Sequence, residues 1–337
     1  MLKYKKKIKI SFFLDDKNLK IDLSKPQNGN PGIGGTEFLM VSTPFYLKKY
    51  KGKNFSSIIY HLNKNTFMPP GIKSVCVKDK IEALDHAKKN CVDLFVYRPL
   101  RNTEKNFIDK LQSLKLNCAA WLHVTPKANH IRYLSKSKYV KAVVCVEHEQ
   151  HDQLYDSPLS NKLTFIQNGF DVDTFSKKSF RNDRGKLVVF IGALVPQKSF
   201  HYLAKQWPKI LKNCPDAKLK VIGSASVYSN SIKLGKYKLA NENYENDFMK
   251  YLMNEHGNLL SSVNFLGKIG LEKKKIMSCA RVGIGNPIGT NENCPGVLIE
   301  FQSLGIPVVS LENYGSIDTI EHNKTGYLAK NDSEFVK

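Results

Sequence analysis

Two glutamates eight positions apart bound the stretch Glu292-Asn293-Cys294-Pro295-Gly296-Val297-Leu298-Ile299-Glu300. The apolar run Val297, Leu298, Ile299, Phe301 and Leu304 predicts a helix opening at Gly296. Glu292 then lies in the loop ahead of that helix, and Glu300 about one turn inside it. The amides at Gly296 and Val297 would form a helix N-terminus suited to a phosphate. One carboxylate could hold the hydroxyls of a sugar ring and the other those of a ribose. An acidic loop followed by an ordinary first-turn Glu, favoured by the helix dipole, accounts for the same residues.

Two further stretches have types and spacing fit for binding. Gly32-Ile33-Gly34-Gly35-Thr36-Glu37 puts adjacent glycines, Gly34 and Gly35, where a strand hands over to a helix. There the backbone can approach a ligand and the helix start offers unpaired N–H groups to an anion. Gly192-Ala193-Leu194-Val195-Pro196-Gln197-Lys198 sets Lys198 at the mouth of a second strand–helix turn, placed to neutralise a diphosphate. An exposed lysine of no special role is the competing reading.

These loops need strands and helices to hold them. Short apolar runs alternate with helical stretches: strands are expected at 8–14, 57–62, 74–77, 93–97, 118–124, 142–146 and 163–166, with helices at 35–50, 80–90, 104–114 and 127–137. A polar stretch at 176–185 reads as a linker. The pattern then restarts, with strands at 187–193, 218–222, 263–266, 282–285 and 307–311 and helices at 200–213, 273–279 and 296–304. Continuous apolar strands alternating with helices imply parallel sheets covered on both faces. The expected class is α/β, with two Rossmann-like domains facing across a cleft, residues 1–178 and 185–337. Ligands of such sheets bind beyond the carboxyl ends of the strands.

Composition sets outer bounds. The chain has 337 residues, 42% of them hydrophobic, enough for a packed core. No apolar run approaches the roughly 20 residues that cross a bilayer, and the start does not read as a secretory signal. The seven cysteines include no C-x-x-C pair, and the histidines show no zinc spacing; His148 and His151, at i and i+3, read as exposed helix residues. The formal charge is +22, with 52 basic residues of which only six are Arg (98, 101, 132, 181, 184, 281). Residues 1–175 carry +13 of that charge. Nucleic-acid readers lean on Arg forks and no such motif accompanies the charge, so a nucleic-acid partner is not expected. A solvated Lys surface competes with attraction to an anionic partner.

In their order along the chain these pieces resemble the GT-B glycosyltransferases, and within them the retaining group known as family 4. The matching stretches are Gly34–Glu37, Trp121-Leu122-His123, Ile166–Asp171, Phe190–Lys198, and Glu292–Glu300 followed by Gly305-Ile306-Pro307-Val308-Val309. The resemblance implies that Glu292 is the E-x7-E carboxylate that contacts the donor sugar and Glu300 the one that binds the ribose hydroxyls. It places the amides of Gly296 and Val297 on the distal phosphate and Lys198 on the diphosphate. Gly34 and Gly35 would close over the donor. His123 would sit near the sugar's C6 hydroxyl, and Ile269 at the edge of the nucleobase. Two departures stand out: Ala193 replaces an Arg common in the family, and the chain stops at Lys337 where the family usually continues through further helices.

The implied function is retaining transfer of a sugar from a nucleotide-sugar, a UDP-sugar, to a hydroxyl of a glycan or lipid-linked acceptor in bacterial surface-polysaccharide synthesis. No cofactor or metal is implied, because amides and a lysine neutralise the diphosphate. The acceptor would be chosen by the loops 15–31 and 63–71. A cytoplasmic location is expected, with the basic first domain, led by Lys3, Lys5, Lys6 and Lys7, held peripherally on the anionic inner face of the membrane. The alternatives are a sugar-nucleotide epimerase or phosphorylase, which reuse the fold, and a non-catalytic protein binding an anionic polymer.

Overall fold

A computed structural model describes residues 7–19, 21–99, 104–176, 184–227, 233–289 and 292–337. Lys3, Lys5 and Lys6, and residues 177–183 of the expected linker, lie outside the described residues.

The chain divides into two compact units. One holds residues up to Gly29 and Gly35–Gly169; the other holds Asn30–Gly34 and Phe170 onward. The division falls ahead of the expected boundary at 178–185. Its cause is apolar: Phe175, 2% exposed, and Phe170 pack with Val189, Leu298 and Phe301. The short helix Val172–Ser176 therefore belongs to the second unit.

The first unit is built on a parallel sheet of seven strands, β1 (Ile8–Leu14), β2 (Phe55–His61), β3 (Lys73–Cys76), β4 (Leu94–Tyr97), β5 (Cys118–Leu122), β6 (Val140–Cys145) and β7 (Leu163–Phe165), in the order β3-β2-β1-β4-β5-β6-β7. The second carries six parallel strands, β8 (Leu187–Ile191), β9 (Lys218–Ile222), β10 (Val263–Gly267), β11 (Val282–Ile284), β12 (Val308–Leu311) and β13 (Gly326–Ala329), ordered β10-β9-β8-β11-β12-β13. In each sheet the order reverses beside the first strand, between β1 and β4 and between β8 and β11. In open α/β sheets that reversal opens a crevice at the carboxyl ends, the usual place for a ligand.

The elements follow from their sequences. β5 is buried at all five positions and β8 runs into a fully buried end, as strands covered on both faces must. In the helix Phe200–Asn213, Phe200, Leu203, Ala204 and Trp207 recur at helical spacing and are all buried. Asp79 caps the helix Lys80–Lys89 by accepting from the Glu82 amide at 2.8 Å, and Asn241 caps Glu242–Met249 through the Tyr244 amide at 3.0 Å. Among the described residues, no helix is long and apolar enough to cross a membrane.

Candidate active site

In the second unit, β8 ends at Ile191 and leads through Gly192–Lys198 into the helix Phe200–Asn213, while β11 ends at Ile284 and leads toward Glu292. Because β8 and β11 are neighbours, both loops leave the sheet side by side. Asn286 Nδ2 joins them by donating to the Gln197 carbonyl at 2.9 Å. The Lys198 ammonium pairs with the Glu292 carboxylate, the two side chains being 24% and 18% exposed. Backbone bonds hold Glu292 in place: its N–H donates to Gly289 O, and its carbonyl accepts from Gly315 N, both at 3.0 Å. The lysine and the first carboxylate, 94 residues apart in sequence, thus meet at the switch point.

Below them the close approach of backbones demands glycine. The Gly192 amide donates to Ile222 O at 3.0 Å, and at Gly223, with φ +149°, any Cβ would overlap the Gly192 carbonyl. Gly296 and Val297 open the helix Gly296–Ser303, where amides have no carbonyl one turn earlier to engage. Ala193, the position of the departure noted in the sequence, is buried. Ile269 follows β10 and packs half-buried against the cluster containing Phe175 and Leu298.

Glu300 sits deeper, its side chain 5% exposed, and meets a residue the sequence reading missed. Lys273 Nζ lies 3.0 and 2.7 Å from the two Glu300 carboxylate oxygens, and its own side chain is 7% exposed. Lys273 opens the run Lys273-Lys274-Lys275, and the sequence alone does not show which of the three turns inward.

In the first unit, His123 follows β5 directly, and Arg98 follows β4. The His123 and Trp121 rings lie 4.8 Å apart. Both His123 ring nitrogens, Trp121 Nε1 and Arg98 Nε are buried and make no hydrogen bond of ordinary geometry among the described residues. Native interiors rarely leave such groups unpaired, so their clustering at a carboxyl edge suits a ligand-binding surface. Burial, aided by the positive charge of Arg98, lowers the His123 pKa to about 3, so the ring is neutral at pH 7. Arg98 Nη1 faces Glu37 Oε1 at 3.4 Å. Gly35 is the first residue of the helix Gly35–Lys51, while Gly34 groups with the second unit. The preceding loop is shaped by Asn30, whose Oδ1 accepts from the amides of Gly32 and Ile33 at 2.9 Å each. Arg98 and Asn30 were also missed; only their neighbourhood to the Gly-rich stretch and to a strand end could have flagged them.

The two loops expected to choose the acceptor are fastened together by one buried carboxylate. Asp16, with no exposed surface, accepts from the amides of Leu62 (2.6 Å) and Asn63 (3.0 Å) and from Thr66 Oγ1 (2.6 Å). His61 Nδ1 lies 3.5 Å from its other side. The Leu23 amide donates to Phe67 O at 3.0 Å. Phe67, 70% exposed, and Lys64 line a cavity of about 610 Å³ with His61, Met68 and Pro70.

Comparison with known proteins bears on the family and the fold. Residues 171–336 match the family described as Glycosyl transferases group 1. An uncharacterized glycosyltransferase of Haemophilus influenzae is 26% identical over 155 residues, covering 45% of this chain and 38% of the relative. The capsular polysaccharide biosynthesis glycosyltransferase CapM of Staphylococcus aureus is 24% identical over 172 residues, covering 51% and 40%. The matched segments thus span about two fifths of the length of these relatives. Among solved structures, Anabaena Alr3699/HepE in complex with UDP is similar with a TM-score of 0.66 and 16% identity, over 98% of this chain and 88% of that one. The two parallel sheets thus share the GT-B fold.

Proposed function

We propose, for a chain that belongs through residues 171–336 to the glycosyl transferases group 1, that it transfers a sugar from a UDP-sugar to a hydroxyl acceptor with retention at the anomeric carbon. The observation that carries this reading is the Lys198–Glu292 pair at the second sheet's switch point. Without substrate the lysine's charge is held by Glu292. An arriving diphosphate, with more negative charge, takes Lys198 over and leaves Glu292 for the hydroxyls of the donor sugar. As the sugar–phosphate bond breaks, Lys198 and the helix-start amides of Gly296 and Val297 stabilise the charge growing on the diphosphate. With Lys198 moved to the diphosphate, Glu292 is assigned to steady the positively charged sugar and not to attack it, so the glycosidase template of two flanking carboxylates is not the one used here. No metal enters this reading.

Neutral His123 is assigned to the sugar's C6 hydroxyl, Glu300 to the ribose, Ile269 to the base edge, and Gly34 and Gly35 to the glycine loop that closes over the donor. A relative named for capsular polysaccharide biosynthesis and a solved neighbour in complex with UDP support the donor and product class. The acceptor, a glycan or lipid-linked glycan, belongs at the Asp16-fastened loops. The Lys-rich first unit is assigned to the anionic inner face of a membrane, where vesicle binding should weaken steeply with salt.

The test is Glu292→Ala. Transfer should be lost while UDP binds as well as before or more tightly, because Lys198 no longer has to leave a carboxylate. Retained turnover would sink the assignment.

A further inference from the structure

We infer that Lys273 is the positioning residue for nucleotide recognition: it fixes the Glu300 carboxylate in the orientation that receives the ribose hydroxyls. The inference rests on the reading of Glu300 given above and adds a residue that reading does not contain.

Three observations carry it. The contact is two-pronged, at 3.0 and 2.7 Å to the two carboxylate oxygens, so the ammonium fixes the plane of the carboxylate as well as its place. Both side chains are nearly sealed from water, 7% and 5% exposed. Lys273 is also singled out from its neighbours: it and Met277 form the buried face of the helix Lys273–Met277, while Lys274 lies over the Phe175 ring at 4.7 Å and Lys275 is exposed. A lysine drawn inward at the head of a three-lysine run needs a charged partner, since burying it alone would be prohibitive.

The pairing leaves Glu300 usable. An ionised carboxylate offers about four lone-pair positions, and the ammonium takes one on each oxygen. One acceptor position per oxygen remains, matching the two vicinal hydroxyls of a ribose. Without the ammonium the plane of the carboxylate would lose the two contacts that set it, and the two positions would no longer be aligned together. The pair also carries no net charge, so the ribose is met by oriented acceptors and the diphosphate meets no uncompensated negative charge at Glu300.

The experiment measures UDP and 2′,3′-dideoxyuridine diphosphate binding by calorimetry to the wild-type chain, Lys273→Gln and Lys273→Arg, with folding checked by circular dichroism. Gln keeps a donor and much of the volume but only one prong; Arg keeps the charge on a larger head that displaces the carboxylate. Positioning predicts a UDP Kd raised about tenfold in Lys273→Gln, on the scale of one charge-assisted hydrogen bond, and about threefold in Lys273→Arg. With the dideoxy nucleotide both penalties should shrink to within twofold, because the hydroxyls that Glu300 receives are gone. A purely structural ion pair would instead weaken both ligands equally, and that result overturns the inference, as does an unchanged UDP Kd in either variant. Should Lys273→Gln not fold, the Lys273→Arg comparison decides on the same terms. A wild-type chain that binds no UDP would instead refute the functional reading itself.

Discussion

Asp16→Ala should loosen the pair of loops at 15–31 and 63–71 without disturbing the sheet beneath them. The carboxylate has no exposed surface and receives two backbone amides and one hydroxyl, all between 2.6 and 3.0 Å. Alanine strands the Leu62 and Asn63 amides and the Thr66 hydroxyl at once. Each stranded buried donor costs about 1–3 kcal/mol, so about 3 kcal/mol of local stability is a conservative expectation. Asp16→Asn keeps an acceptor for the two amides and should lose only about 1 kcal/mol. Hydrogen exchange on peptides covering residues 60–72 is the assay, since it reads local opening directly. A loss of about 3 kcal/mol corresponds to about a hundredfold faster exchange at Leu62 and Asn63.

The pH dependence of that effect has a defined sign. Burial alone would raise the Asp16 pKa, but hydrogen bonds from His61, Thr66 and the Leu62 and Asn63 amides outweigh it and hold the carboxyl below 3.8. A carboxyl depressed in the folded state stabilises fully above its unfolded value and loses that contribution as pH falls through the folded one. The gap between wild type and Asp16→Ala should therefore be level from about pH 5 to 8 and close only in stronger acid. Exchange within threefold of wild type in the Ala variant, or a gap that widens as pH falls toward 4, would refute the reasoning.

Further expectations concern the loops at the carboxyl ends of the two sheets. Lys198→Ala should weaken UDP binding by about 1.5–3 kcal/mol, the range for hydrogen bonds to charged groups, as read by calorimetry. Gly223→Ala should destabilise the second unit by more than about 1 kcal/mol, because φ +149° and the Gly192 carbonyl leave no room for a Cβ; a urea midpoint equal to wild type would contradict this. His123, neutral in the folded chain down to about pH 3, takes up its proton near 6.5 when unfolded. Stability should therefore fall by about 1.4 kcal/mol per pH unit below 6.5, and His123→Phe should remove that slope in urea titrations between about pH 6.5 and 5.

Much of this architecture was legible because apolar periodicity is local. β1, β9 and the helix Phe200–Asn213 begin and end where the alternation of apolar and polar residues places them. The helix Glu242–Met249 and the strand β13 were not foreseen. The helix is short and polar, marked mainly by its Asn241 cap, and β13 is four residues whose burial comes from pairing with β12. Ionic partnerships were the least legible, since they join residues far apart in sequence. That Lys198 meets Glu292, Lys273 meets Glu300 and Asp16 gathers Leu62, Asn63 and Thr66 follows only once the strand order brings those loops together. The motif spacing indicated where the carboxylates stand, but not that each is already held by a lysine.

The most direct measurement of the central claim is UDP release from a panel of UDP-sugars by the wild-type chain and by Glu292→Ala, with NMR of the released or transferred sugar. The expected result is UDP release from at least one UDP-sugar, a product that keeps the donor's anomeric configuration, and no release from the variant. UDP release undiminished in Glu292→Ala, or a product of inverted configuration, would contradict it.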